Sequence, residues 1–224
     1  MPWRKHRGPE RPKTSCKPWL RPPRSPARTS DRSRPGGQIM KSITTDHRSI
    51  DGKTPTSVML LQNPLDFIAE DHLRLRAMCA ALDRLAETTP VEGAAISEMI
   101  DYLGHELPLL LADEDDDLMP HILSRAEPED ELPKLTRRLE KEHAEIACLL
   151  KAVTSGLAGL ALATSISNAL RTSMHDLADA ARRHLILENA VLLPLAKARL
   201  TKEDLHAIRA AMLKRRGLES LFAT

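Results

Sequence analysis

Aromatic side chains are nearly missing from this chain: Trp3, Trp19, Phe67, Tyr102 and Phe222 are the whole set, 2% of 224 residues. A core short of aromatic and β-branched residues but rich in Leu and Ala favours helices over sheet. Cysteine is scarce as well. Cys16, Cys79 and Cys148 are odd in number and lack CxxC spacing, which argues against a disulfide framework and for a reducing cytosol. No run reaches the roughly 18 consecutive apolar residues of a membrane span. The basic N-terminus is not followed by an apolar stretch and a small-residue cleavage site, so it does not read as a secretory signal. These absences predict a cytoplasmic protein.

Hydrophobic residues nevertheless make up 42%, enough for a substantial core. The net charge of +2 conceals two unlike segments. Residues 1–40 hold eleven Lys/Arg against Glu10 and Asp31, a balance of +9 that leaves −7 for the rest. They also hold eight prolines and almost no apolar periodicity. Such a segment cannot bury enough surface to offset its ordering entropy. Residues 1–61 are therefore expected to form a disordered basic Pro/Arg-rich extension, or an upstream stretch that is not translated, with Met40 as the true start. A basic arm for nucleic acid or anionic lipid is the competing reading, but the Arg residues are not interleaved with stacking aromatics as single-strand binders usually are. The mildly acidic body gives no reason to expect nucleic acid.

From Asn63 the pattern becomes helical. Asn63-Pro64 is an N-cap followed by proline at the first helical position. Helix 1 is expected to run to about Glu87, with Leu65, Ile68, His72, Leu75, Cys79, Leu82 and Ala86 recurring at steps of three and four on one stripe. Helix 2, about 91–119, places Ile96, Ile100, Leu103, Leu107, Leu110 and Glu114 on one seam. Pro108 should kink it, and Pro120 with the segment Arg125–Pro128 mark its end. Helix 3, about 130–157, carries Leu135, Leu139, His143, Ile146 and Leu150. Helix 4, about 165–198, carries Leu177, Ala181, His184, Glu188, Val191 and Leu195. A short fifth helix starts at the Thr201 cap, with Asp204 near a capping-box position, and stops before Gly217. The expected architecture is all-α: an antiparallel up-down four-helix bundle over residues 62–217 with a short C-terminal fifth helix, then a tail over 218–224. Helices 2 and 4 share one small pattern, an acid (Glu114, Glu188) six residues before a proline (Pro120, Pro194).

Ionisable groups are rarely placed on the buried seam of a bundle, because desolvating them is costly unless they are paired or hold a metal. Three histidines and two glutamates fall on the four seams here. His184 and Glu188 are four residues apart, about 40° around the helix and roughly 6 Å along it, so both can reach one ion. Glu114 reaches the same level from helix 2, and His72 and His143 add one imidazole each. Any one of these alone is more commonly a hydrogen-bonded core residue; their joint occurrence points to metal. Imidazole with carboxylate suits iron, manganese or zinc, and carboxylates from two helices can bridge a metal pair. Cys79 and Cys148 read as small core residues, and Met78, Met99 and Met119 as packing.

These stretches resemble the hemerythrin-like HHE cation-binding domains: Asn63-Pro-Leu-Asp-Phe-Ile-Ala-Glu-Asp-His72, Glu106-Leu-Pro-Leu-Leu-Leu-Ala-Asp-Glu-Asp-Asp-Asp-Leu-Met-Pro120, Leu139-Glu-Lys-Glu-His143 and His184-Leu-Ile-Leu-Glu-Asn-Ala-Val-Leu-Leu-Pro194. In that family each helix supplies a His, and helices 2 and 4 add a Glu four residues later. Together they hold an oxo- or hydroxo-bridged di-iron centre that binds or senses dioxygen. The resemblance implies His72, Glu114, His143, His184 and Glu188 as metal ligands, iron as the metal, and a small gas such as O2 or NO as the partner.

One position departs from the family pattern. Leu110 stands where the helix 2 histidine belongs. His105 lies about 180° around the helix and some 13 Å away, and His121 about 10 Å beyond Glu114, so neither substitutes. His175 faces away from His184 likewise. Asp117 could lean in, although the acidic run Asp113–Asp117 reads more simply as surface charge. The missing ligand leaves three outcomes: an open position on a second iron, a site for one metal, or loss of binding. A non-catalytic iron and gas-binding module leads. A di-iron oxidase or peroxidase-like enzyme ranks lower, since such enzymes use Glu-x-x-His pairs where this chain has His-x-x-x-Glu. A structural bundle that has lost its metal is the third reading, with Leu110 in its favour.

Overall fold

The computed structural model describes residues 54–160 and 165–221, and every regular element among them is helical. Most of the basic extension lies outside the described residues. Its described end is ordered: Val58–Gln62 forms a 3₁₀ turn whose Leu61 is fully buried, so the packed part begins before residue 62.

Asn63 starts the first long helix, α1 (Pro64–Glu87), for a local reason. Its side chain accepts a hydrogen bond from Leu65 N (3.2 Å), and Pro64 occupies the first turn, where an N–H is not needed. All seven residues of the predicted stripe are buried.

The second rod spans 93–124 and is built from three α segments, α2 (Gly93–Asp101), α3 (Leu107–Asp113) and α4 (Met119–Ser124), joined by π turns at Tyr102–Glu106 and Glu114–Leu118. α5 (Leu132–Gly159) is unbroken. The fourth rod repeats the interrupted design: α6 (Asn168–Leu187), a π turn at Glu188–Leu192, and α7 (Leu193–Arg199). α8 (Lys202–Arg216) follows. α6 lies against both α1 and α5, while the second rod closes the ring between α1 and α5, giving the antiparallel four-helix bundle. Ile68, Leu82, Leu107, Leu139, Ile146 and Leu177 are among the enclosed core side chains. No helix among the described residues is long and apolar enough to cross a membrane.

Each π turn ends two residues before a proline: Pro108, Pro120 and Pro194. A helical proline cannot donate to the carbonyl four residues back, and its ring crowds that carbonyl. Widening the preceding turn relieves both problems. In each widened turn the first carbonyl, of Tyr102, Glu114 or Glu188, accepts from the N–H five residues on, at Leu107, Met119 or Leu193. Pro120 therefore does not end helix 2, which continues to Ser124 and stops at the Arg125–Pro128 segment, and a π turn precedes Pro108.

A π turn also inserts one residue into the helical register. Downstream of Glu188 the buried face therefore moves from the predicted Val191 and Leu195, both only half-buried, to Leu192 and Ala196. Glu114 is followed in the same way by the fully enclosed Leu118 and Ile122.

α8 forms as its sequence predicts. Thr201 Oγ1 accepts from Asp204 N (3.2 Å) while Asp204 Oδ2 accepts from Thr201 N (2.9 Å). It stops at Gly217, whose φ of 66° lies in the left-handed region, with Leu218 N donating to Leu213 O (2.9 Å).

Two substitutions separate local from core effects. Thr201→Ala should cost about 1 kcal/mol by uncapping α8. Leu139→Ala, with no solvent exposure one turn before His143, should cost roughly 2–5 kcal/mol through the cavity it leaves. Urea unfolding of the metal-free variants measures both, and equal costs would contradict this division.

Candidate metal centre

The five polar residues of the predicted seams meet inside the bundle. His72 comes from α1, His143 from α5 and His184 from α6. Glu114 and Glu188 each open a π turn. All five are buried, none more than 4% exposed. His72 Nε2 lies 2.8 Å from Glu114 Oε1 and 3.3 Å from Glu188 Oε2. On the other side of the carboxylates, His143 Nε2 is 3.5 Å from Glu114 Oε2, and His184 Nε2 is 3.0 Å from Glu188 Oε2. The two glutamates thus stand between one imidazole and a pair of imidazoles. Glu114, His143, His184 and Glu188 each offer a ligand atom within 4.8 Å of the others.

Each outer imidazole nitrogen faces an oxygen. His143 Nδ1 faces Asp115 Oδ1 at 2.6 Å, and His184 Nδ1 faces Glu142 Oε2 at 3.3 Å. His72 Nδ1 faces Asn189 Oδ1 at 3.1 Å, and Asn189 is held in that sense because its Nδ2 donates to Leu185 O (2.8 Å). Each Nδ1 therefore carries a proton and donates it outward, which directs each Nε2 inward. This is the arrangement of metal-ligating histidines, whose second nitrogen is normally tied to a carboxylate or carbonyl. His143 Nε2 and His184 Nε2 stand 2.9 Å apart, a gap that only a shared proton or a cation can hold.

The carboxylates carry the complementary deficit. Glu114 Oε2 and both Glu188 oxygens are buried without a hydrogen-bond partner; the imidazole of His184 is near Glu188 but misdirected for a hydrogen bond. Buried acceptors without partners are rare in native proteins and costly. A cation between them and the inward nitrogens would satisfy all of these atoms together, so the residues present fit a metal.

The charges respond to this crowding. Burial alone would lower the His72 and His143 pKa values. For His72, the Glu114 hydrogen bond and the Glu114 and Glu188 charges outweigh it and carry the imidazole up to about 9. Asp115, Glu114 and Glu188 do the same for His143, also to about 9. Burial and the neighbouring Glu188 charge raise Glu114. Glu188 is lowered despite its burial, because His184, His72 and His143 surround it.

Other predicted residues are placed plainly. Leu110 is buried one turn before Glu114, and His105 and His121 lie outside the cluster on backbone carbonyls of Asp101 and Asp117. His175 pairs with Asp83 and Glu87 on the surface. Cys79 and the three methionines are buried packing residues, and Cys148 is half-buried on α5.

The acidic run is not plain surface charge. Asp113, Glu114 and Asp117 are buried, and only Asp115 and Asp116 are exposed. Asp117 faces Arg215 of α8 rather than the cluster, and Asp115 orients His143. Sequence reasoning missed Asp115, Glu142 and Asn189. The available signal was adjacency: each stands next to a ligand-type residue, and each reaches a histidine on a different helix.

A family model described as "Hemerythrin HHE cation binding domain" matches residues 63–196, well over half of the chain. No curated protein matches it.

The raised imidazoles set a pH dependence. A proton held more tightly in the folded than in the unfolded chain stabilises the fold fully below the ordinary imidazole value of 6.5, and that contribution is lost as the pH rises through about 9. The melting midpoint of metal-free protein should fall across this window, and fall less in His72→Gln. A flat profile would contradict the charge assignment.

Proposed function

Because this chain belongs to the hemerythrin HHE cation-binding domain family, we propose that it is a non-catalytic module that holds non-haem iron and binds or senses a small gas such as O2 or NO in the cytoplasm. The observation that carries the metal is the set of three buried carboxylate oxygens without hydrogen-bond partners, facing three imidazoles whose outer nitrogens are already committed.

In this reading His143 and His184 hold one metal position together with Glu114 and Glu188. His72 supports a second position through the same two carboxylates. Iron bound there would supply the redox-active centre to which a diatomic gas binds. The protein's own part is to orient and to exclude. Asn189, Asp115 and Glu142 keep the imidazoles turned inward, and the Leu- and Ala-rich seams keep bulk water out.

Leu110 makes the two positions unequal. The His72 side has a single imidazole and an apolar neighbour, so its metal would be held more weakly or would keep a position free for a ligand. The His-x-x-x-Glu spacing on the fourth rod, in place of Glu-x-x-His, disfavours the oxidase-like alternative.

Metal content and stoichiometry per chain, with an ultraviolet-visible spectrum in the presence and absence of oxygen, test this directly. Iron and a ligand-to-metal charge-transfer band are expected. Asp115→Ala should weaken metal binding by about 10- to 100-fold while leaving the helices intact. Metal-free protein from iron-replete cells would sink the reading. With metal bound, His72→Leu and His184→Leu should destabilise the fold through linkage.

Leu110→His tests the asymmetry. It should raise metal occupancy or shift the absorption spectrum; if both stay unchanged, Leu110 does not face the second position.

A further inference from the structure

Glu114 is flanked by two further buried acids. Asp113 precedes it with no solvent exposure, and Asp117, three residues later, is 6% exposed. Neither points into the metal cluster. Both are held by the last turn of α8. Arg215 pairs with Asp113 and donates to Asp117 Oδ2 (2.7 Å). Arg216 donates to both Asp113 oxygens, at 3.0 Å and 2.5 Å. The Arg216 guanidinium is itself stacked over the Phe67 ring of α1, 4.9 Å from its centroid. α8 begins at Lys202, beyond the span that matches the family.

Asp113 immediately precedes the π turn Glu114–Leu118, and Asp117 lies within it. Such a turn is a one-residue insertion, and a helix can shift it by exchanging bonds to the fourth and fifth residue on. Shifting it past Glu114 would rotate that side chain by about 100° and carry it off the seam. Pro120 favours a widened turn somewhere upstream but does not specify which residue opens it. Anchoring Asp113 just before the turn and Asp117 inside it removes that freedom. Among the described residues, no ion pair brackets the corresponding turn at Glu188.

We propose that Arg215 and Arg216 are positioning residues for the metal centre: the end of α8 pins the π turn that presents Glu114, and so couples α8 docking to metal binding. The proposal rests on the reading of Glu114 as a ligand. Coupling is reciprocal, so metal binding must also hold α8 more firmly.

The test uses the full chain with Co2+ as the probe. Arg215→Gln/Arg216→Gln removes both charges and keeps much of the stems. It should lower Co2+ affinity by about tenfold or more, the range typical of lost outer-sphere support. Val153→Ala is the control, since it opens a cavity at a fully buried site ten residues, roughly 15 Å, beyond His143 and should leave Co2+ affinity near wild type. Amide hydrogen exchange on the wild type is the second measurement. Co2+ should slow exchange in Lys202–Arg216 more than in Gly93–Asp101, and this requires no variant to fold. Unchanged Co2+ affinity in the double variant, or α8 exchange indifferent to Co2+, overturns the proposal. If the wild type takes up no metal, the reading of the site falls with it, an outcome distinct from either.

Discussion

Two carboxylates and three imidazoles share one enclosed volume in a bundle otherwise lined with Leu, Ile and Ala. Taking such groups out of water costs several kcal/mol each unless they find partners of opposite charge or directed hydrogen bonds. Here the outward half of every imidazole is satisfied, by Asn189, Asp115 or Glu142. The inward half is only partly so, through the His72 Nε2 bond to Glu114 Oε1. Glu114 Oε2 and both Glu188 oxygens are acceptors that nothing among the described residues fills. The rest of the molecule is arranged so that this imbalance persists: the seams exclude water and the helices hold the five groups at one level.

The two glutamates arrive there by the same backbone device. On both the second and fourth rods a glutamate opens a π turn and a proline follows six residues later. The proline forbids an ordinary α-helical bond, the widened turn absorbs the loss, and the apolar face beyond it is displaced by one position. The glutamates therefore stand at the points where each rod changes register. π turns are rare in helical proteins and often fall at functional positions; in this one each is followed by a proline that favours a widened turn.

The ring around the histidines runs between helices. Asn189 of the fourth rod holds His72 of α1, Asp115 of the second rod holds His143 of α5, and Glu142 of α5 holds His184 of α6. Each orienting residue is the chain neighbour of a cluster residue. One displaced rod would thus misplace its own inward group and release a histidine on another helix. The guanidinium groups of α8 extend this dependence to a helix that supplies none of the five.

Local and periodic features of the chain determined a great deal. The α1 stripe, the Asn63 and Thr201 caps, the stop at Gly217 and the burial of His72, Glu114, His143, His184 and Glu188 all follow from spacing and capping chemistry, which act over one or two helical turns. What lay beyond that reach was decided only by the tertiary structure. Val191 and Leu195 were misplaced because a π turn shifts the helical period, and constant spacing cannot show where it shifts. Asp113 and Asp117 were read as surface charge because their partners, Arg215 and Arg216, lie about a hundred residues away in the chain. A charge beside a seam is solvated or buried according to what packs over it, and only the docking of α8 answers that.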